Sequence, residues 1–170
     1  MKKQLKDAKV TVRGPGQAEI EALVGVITSI TPMKASDLDL FYPIIKKKEI
    51  KKRDFLFKKG EVCKNMHFVT AGYFRMFYND RSDKEINYKF IDKNKFRDRL
   101  SELPDPEAVP HTYCQAMRDS ELLVWSYEDV HRTYAASPAW NNFGRLVAEN
   151  VFLQLNERIE IFQFLTPEQR

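Results

Sequence analysis

The chain has 170 residues, 43% hydrophobic and 31% charged, with a formal net charge of +4. That balance supports a packed core and excludes disorder throughout, and the length favours one domain with a long appended element over two full domains. The longest apolar run, Leu122-Leu123-Val124-Trp125, is too short to span a bilayer; no apolar signal segment follows the basic Met1-Lys2-Lys3-Gln4; and Cys63 and Cys114 are too few for a disulfide framework, so a cytoplasmic protein without a membrane partner is expected.

Residues 1–17 are rich in lysine and close on Gly14-Pro15-Gly16, a breaker cluster that reads as a flexible basic tail. From Ile20 the spacing of Leu23, Val24, Ile27 and Ile30 predicts a helix, ended at Thr31-Pro32 because proline disfavours helical geometry in the residue before it. A second short helix is predicted from Ser36, as cap, through Leu38, Leu40, Phe41 and Ile44. Lysines then crowd between Lys46 and Lys59. Phosphate contact is one reading of that stripe; the interruptions at Ile50, Phe55, Leu56 and Phe57 favour strands with a solvated, lysine-protected edge.

Short aromatic and β-branched segments follow: Phe55-Leu56-Phe57, His67-Phe68-Val69-Thr70, Tyr73 to Tyr78, Ile86 to Ile91, Thr112 to Ala116 and Leu122 to Ser126. Turn clusters at Lys59-Gly60-Glu61, Ala71-Gly72, Asn79 to Asp83, Asp92-Lys93-Asn94 and Arg118-Asp119-Ser120 separate them, the pattern of an antiparallel sandwich or barrel. The expected fold is therefore mainly β with helices, a jelly-roll or double-stranded β-helix over residues 18–136 with its N-terminal helices. Ser126 with Asp129 three residues on is an acidic capping box, and Ser137-Pro138 starts a helix reaching Leu165, about 40 Å of it. Residues 137–170 thus form a long terminal element with two apolar faces. Trp140, Phe143, Val147 and Val151 lie on one ridge, and Phe152, Leu155, Ile159 and Phe162 on another. A helix apolar on more than one side needs a second partner, most simply another copy of the chain.

No phosphate-cradling glycine loop, nucleophile elbow or dinucleotide fingerprint occurs. His67, His111 and His131 are far apart and form no His-x-His pair, which argues against a metal site of the cupin kind, and two distant cysteines cannot hold an iron–sulfur cluster. Asp105 and Glu107 read as solvated loop carboxylates. No catalytic or metal residues are assigned, and no enzyme is expected.

Two short helices, a roll of about eight strands, a short helix and a long two-faced helix, with Phe-Leu-Phe-Lys-Lys-Gly-Glu-Val from Phe55 and Phe-Val-Thr-Ala-Gly-Tyr-Phe-Arg from Phe68, resemble the bacterial Crp/Fnr-type transcription regulators. The resemblance implies a cyclic nucleotide-binding-like β-roll that senses an effector, a dimerisation helix contributing Phe143, Val147, Val151, Phe152, Leu155, Ile159 and Phe162, and a homodimer. It also implies DNA binding only through a winged helix-turn-helix that would begin just past Arg170. In family members that bind cyclic AMP, a Gly-Glu pair holds the ribose and an Arg-Ser pair the phosphate. Phe96-Arg97-Asp98 and Pro110-His111 stand at those places here, and Leu155-Asn156 at the adenine-facing positions. Proline cannot replace a guanidinium fork. The resemblance therefore implies a degenerate pocket, with Phe96, Arg97, Asp98, Arg99, Pro110, His111 and Asn156 as candidates, that does not bind cyclic AMP. Arg97 and Arg99 leave room for another small anionic or nucleotide-like effector. A stand-alone interaction module with an unused pocket is the alternative, and a cupin-like metal enzyme a weaker one.

Overall fold

The computed structural model describes residues 12–96 and 111–164. Strand β1 (Val12–Arg13) leads into helix α1 (Gln17–Ile30), helix α2 (Ala35–Asp39) and a 3-10 turn (Tyr42–Ile44). Seven strands follow: β2 (Lys46–Ile50), β3 (Phe55–Phe57), β4 (Asn65–Ala71), β5 (Phe74–Asn79), β6 (Glu85–Ile91), β7 (Tyr113–Ala116) and β8 (Ser120–Ser126). Helices α3 (Tyr127–Ala136) and α4 (Pro138–Phe164) complete the described chain. Two four-stranded antiparallel sheets face each other, ordered β1-β2-β8-β4 and β3-β7-β5-β6, the arrangement of an antiparallel jelly roll.

Val12 and Arg13 correct one expectation. They pair with Lys48 and Lys47 as an edge strand, so the predicted free tail does not extend to them. The lysine-rich β2 consequently lies inside its sheet, between β1 and β8. The second helix also starts differently. Its N-cap is Lys34 rather than Ser36, and the Asp37 carboxylate accepts the Lys34 backbone N–H at 3.0 Å. An acceptor on the third helical residue satisfies a free N–H at the helix start as well as a serine at the cap does. The caps of the C-terminal half follow the sequence. Ser126 Oγ accepts the Asp129 N–H at 3.0 Å, and Ser137 Oγ accepts the Trp140 N–H at 3.3 Å.

Alternation along β8 divides the apolar residues into two cores. Leu122 joins Ile50, Val69, Phe74, Met76 and Cys114 between the sheets. Leu123 and Trp125 face the other way and pack with Phe68, Leu23, Ile27, Phe41, Val130 and Trp140 beneath the helices. Lys47 ties α1 to this sheet, its ammonium 2.7 Å from Glu19 and 3.0 Å from Glu121. After β6 the chain crosses back to the first sheet. Asn94 donates its N–H to the Val69 carbonyl at 2.8 Å, Val69 donates to Lys95 at 3.1 Å, and Phe96 bridges Phe68.

The turn between β4 and β5 depends on a glycine. Gly72 has φ +87°, and a Cβ there would stand 2.7 Å from the Cα of Ser120. Gly72→Ala should therefore cost about 3 kcal/mol or more, combining a left-handed backbone with a backbone overlap. Urea unfolding tests this: a midpoint within error of wild type would contradict the placement.

Candidate functional site

Three features of the fold could carry function: the interior between the sheets, the aromatic junction beneath the helices, and the distal part of α4. Register fixes what faces the interior, because directly opposed residues in antiparallel strands share a face. Lys48 lies opposite Leu122, and Leu122 opposite Val69, both members of the inter-sheet core. Lys48 thus turns inward from a strand whose sequence reads as a solvated edge. Burial pushes its ammonium below the ordinary lysine value, a shift that Cys63 and Glu61 nearby partly offset. One row along, His67 lies opposite Val124 on the same face and is buried. A lysine in the middle of β2 and an imidazole therefore border a mainly apolar interior.

The junction is built from rings. Phe41 meets Trp125 edge-on at 5.1 Å and Trp140 at 4.6 Å, and Trp140 meets Phe143 at 5.5 Å. Phe96 contacts Phe68 at 5.1 Å, Trp125 at 6.2 Å and Phe143 at 6.4 Å. Asp37 organises the start of α4: its carboxylate accepts Ser137 Oγ–H at 2.7 Å and its carbonyl accepts Trp140 Nε1–H at 2.8 Å. Ser137's hydroxyl first, and then the Lys34 N–H, hold the Asp37 carboxyl below the ordinary aspartate value.

The sequence candidates divide accordingly. Phe96 is a wall of the aromatic junction. His111 is exposed just ahead of β7, and Asn156 is half-buried on α4. Arg97, Asp98, Arg99 and Pro110 lie outside the described residues. Of the residues assigned to a subunit interface, Phe143 is only 9% exposed and belongs to the chain's own core, because its turn of α4 lies against Trp140 and Phe96. Val147 packs partly on the same core. Val151 is half-buried, Phe152, Leu155 and Ile159 are 63%, 52% and 51% exposed, and Phe162 lies on the same helix. Leu153 and Phe164 are also exposed. Lys48 and His67 escaped the sequence reading as inward-facing residues because only register tells which face of a strand is inside. Among the described residues, no group of three or more His, Cys, Asp or Glu side chains converges as a metal site, and no helix is long and apolar enough to cross a membrane.

Residues 47–137 match the family model of the cyclic nucleotide-binding domain. No curated protein matches the chain in sequence. Among solved structures it is similar to a cyclic nucleotide-binding domain from Methylobacillus flagellatus, with a TM-score of 0.73, 11% identity, and 91% of this chain and 87% of that one covered. It is similar to the sensor domain of the transcriptional regulator DNR from Pseudomonas aeruginosa, at 0.68, 13%, 88% and 97%. It also resembles the catabolite activator protein of Thermus thermophilus, at 0.64, 18% and 79%, and spans 62% of the length of that protein. At these identities the likeness is one of fold, shared with regulators of the Crp/Fnr type.

Asp37 gives the junction a pH dependence. A carboxyl whose folded value lies below its unfolded one, about 3.9, adds stability that is fully present above that value and lost as pH falls through the folded one. Between about pH 5 and pH 2 the urea midpoint of the wild type should fall more steeply than that of Asp37→Asn, and the two should converge at the acid end. Parallel curves would show that the Ser137 contact contributes nothing.

Proposed function

This chain belongs to the cyclic nucleotide-binding domain family, and from that premise we propose that it is the effector-sensing and dimerisation module of a Crp/Fnr-type transcription regulator. One observation carries the reading. Helix α4 is anchored through Trp140 and Phe143 on the outer face of a family-type roll, then presents Phe152, Leu155 and Ile159 to solvent over its distal turns. Positions 152, 155 and 159 are spaced by three and four residues, so they form one stripe, and an exposed apolar stripe on a helix calls for a partner. A second copy supplies the same stripe about a two-fold axis, with Val151 at its margin and Phe162 continuing it in sequence. On this reading an effector acts by shifting the paired helices between two arrangements. DNA is contacted through a C-terminal helix-turn-helix outside this chain, in the cytoplasm, and no catalysis is involved.

The effector is a small anionic or nucleotide-like molecule other than cyclic AMP. By the resemblance, Pro110 and His111 stand in place of the arginine–serine pair of the cyclic-AMP binders, and Asp98, one methylene shorter, in place of the glutamate that holds the ribose. An unpaired phosphate cannot be stripped of water cheaply. Arg97, Arg99 and the inward Lys48 are the cations available to a different anion.

Two outcomes follow. The wild-type chain should sediment as a dimer at micromolar concentration, and Leu155→Asp should weaken association at least about a hundredfold by placing a carboxylate in the apolar stripe; a monomeric wild type would defeat the reading. Calorimetry with cyclic AMP should give a dissociation constant above about 1 mM, since loss of a charge-assisted bidentate contact removes one to two decades of affinity at least. A micromolar constant would overturn the assignment of the pocket.

A further inference from the structure

Between the helix-facing side of the first sheet, α3 and α4 lies a cavity of 260 Å³ that is separate from the inter-sheet interior. Its walls are Met66 and Trp125 from the sheet, Phe96 from the crossing segment, Tyr134 from α3, and Phe143 and Val147 from α4. We infer that this cavity is a second ligand site, for a small neutral molecule built mainly of an aromatic ring or a short hydrocarbon. The inference is independent of the effector proposed above.

Size is the first argument. Apolar cavities of about 150 Å³ remain dry and take up benzene-sized guests, so 260 Å³ admits a bicyclic ring. The chemistry of the walls is the second. Water is held in a cavity only where it finds two to four polar partners, and the polar atoms here are mostly committed. Trp140 Nε1 donates to the Asp37 carbonyl at 2.8 Å, and Thr133 Oγ1 donates to the Asp129 carbonyl at 2.8 Å. No Asp, Glu, Lys or Arg stands among the described lining residues, so a charged guest would lose its hydration without gaining a counter-ion. Among the described lining residues the one imidazole, His131, is exposed. Tyr134 supplies a hydroxyl that bonds to no described residue, a single polar handle for a ring N–H or O–H. Gly144 makes room for it: a Cβ there would lie 2.5 Å from the Tyr134 ring, so a larger residue would displace the tyrosine.

The position gives such a guest a purpose. It would touch the sheet, α3 and α4 together, and also Phe96, directly ahead of the segment where the anion contacts are proposed. Walls that face a gap forgo dispersion attraction on that side, and a guest that fills the joint between roll and helix restores it and stiffens the joint.

The test uses the full chain with indole as probe, followed by amide and methyl NMR. Saturable shifts should appear, with intermolecular contacts between indole protons and the Val147 methyls or the Phe143 ring. Val147→Phe, which fills part of the cavity, should weaken indole at least about tenfold, and indole-3-carboxylate, the same ring with a charge, should bind at least about tenfold more weakly to wild type. If the variant fails to fold, the contacts on wild type decide alone. Absence of saturable binding, contacts mapped elsewhere, or equal affinity for the carboxylate would overturn the inference.

Discussion

Along Leu122-Leu123-Val124-Trp125, β8 sends alternate side chains into two cores while its backbone is paired on both edges, to β2 and to β4. Leu122 and Leu123 are both completely buried, one on each side of the sheet. Each such side chain contributes about 1.5–3 kcal/mol on burial, and neither can be satisfied unless both faces of the sheet are covered. The second sheet covers one face and the helices the other. The rest of the architecture follows from that demand: α1, α3 and the first turns of α4 exist as a lid over Phe68, Leu123 and Trp125, and the β3-β7-β5-β6 sheet closes over Leu122 and Val69.

The same strand is the physical link between the inter-sheet core and an outer helix. Close-packed interiors transmit displacement rather than absorb it. A change at Lys48, Val69 or Leu122 on the inner face moves a backbone that also carries Leu123 and Trp125, against which Phe41 and, through it, Trp140 are seated. Among the described residues helix α4 is held over its first turns: by that ring contact, by Ser137 and Trp140 on Asp37, by Asn142 on Thr31, and by Phe143 and Val147 on the core. Its distal turns leave the core and carry exposed apolar side chains. A long lever fixed at one end suits conversion of a small shift in the roll into a larger one between two helices, the behaviour proposed for this chain.

Much of this could be read from the residues. Runs such as Phe74-Arg75-Met76-Phe77-Tyr78, bounded by glycine and Asx turns, form strands where expected, and Ser126 and Ser137 cap α3 and α4 because their hydroxyls have N–H donors three residues on. What escaped depended on contacts distant in sequence. β2 is nearly all lysine, and only its pairing with β8 shows that Lys47 reaches Glu19 while Lys48 turns inward. Val12 and Arg13 are too short a segment to signal a strand without the β2 edge beside them. Phe143 shares its helix with exposed apolar residues, and only the aromatic junction assigns it to the chain's own core. The cavity beneath α4 is a property of how three elements meet, which no local pattern encodes.

Amide hydrogen exchange measured as a function of protein concentration separates the anchored start of α4 from the end proposed to associate. Amides around Trp140 and Phe143 should be protected to the same degree at all concentrations, because the chain's own core holds them. Amides around Phe152 to Ile159 should gain protection as concentration rises through the dimer range. Protection of the distal turns that is independent of concentration would rule out association through them.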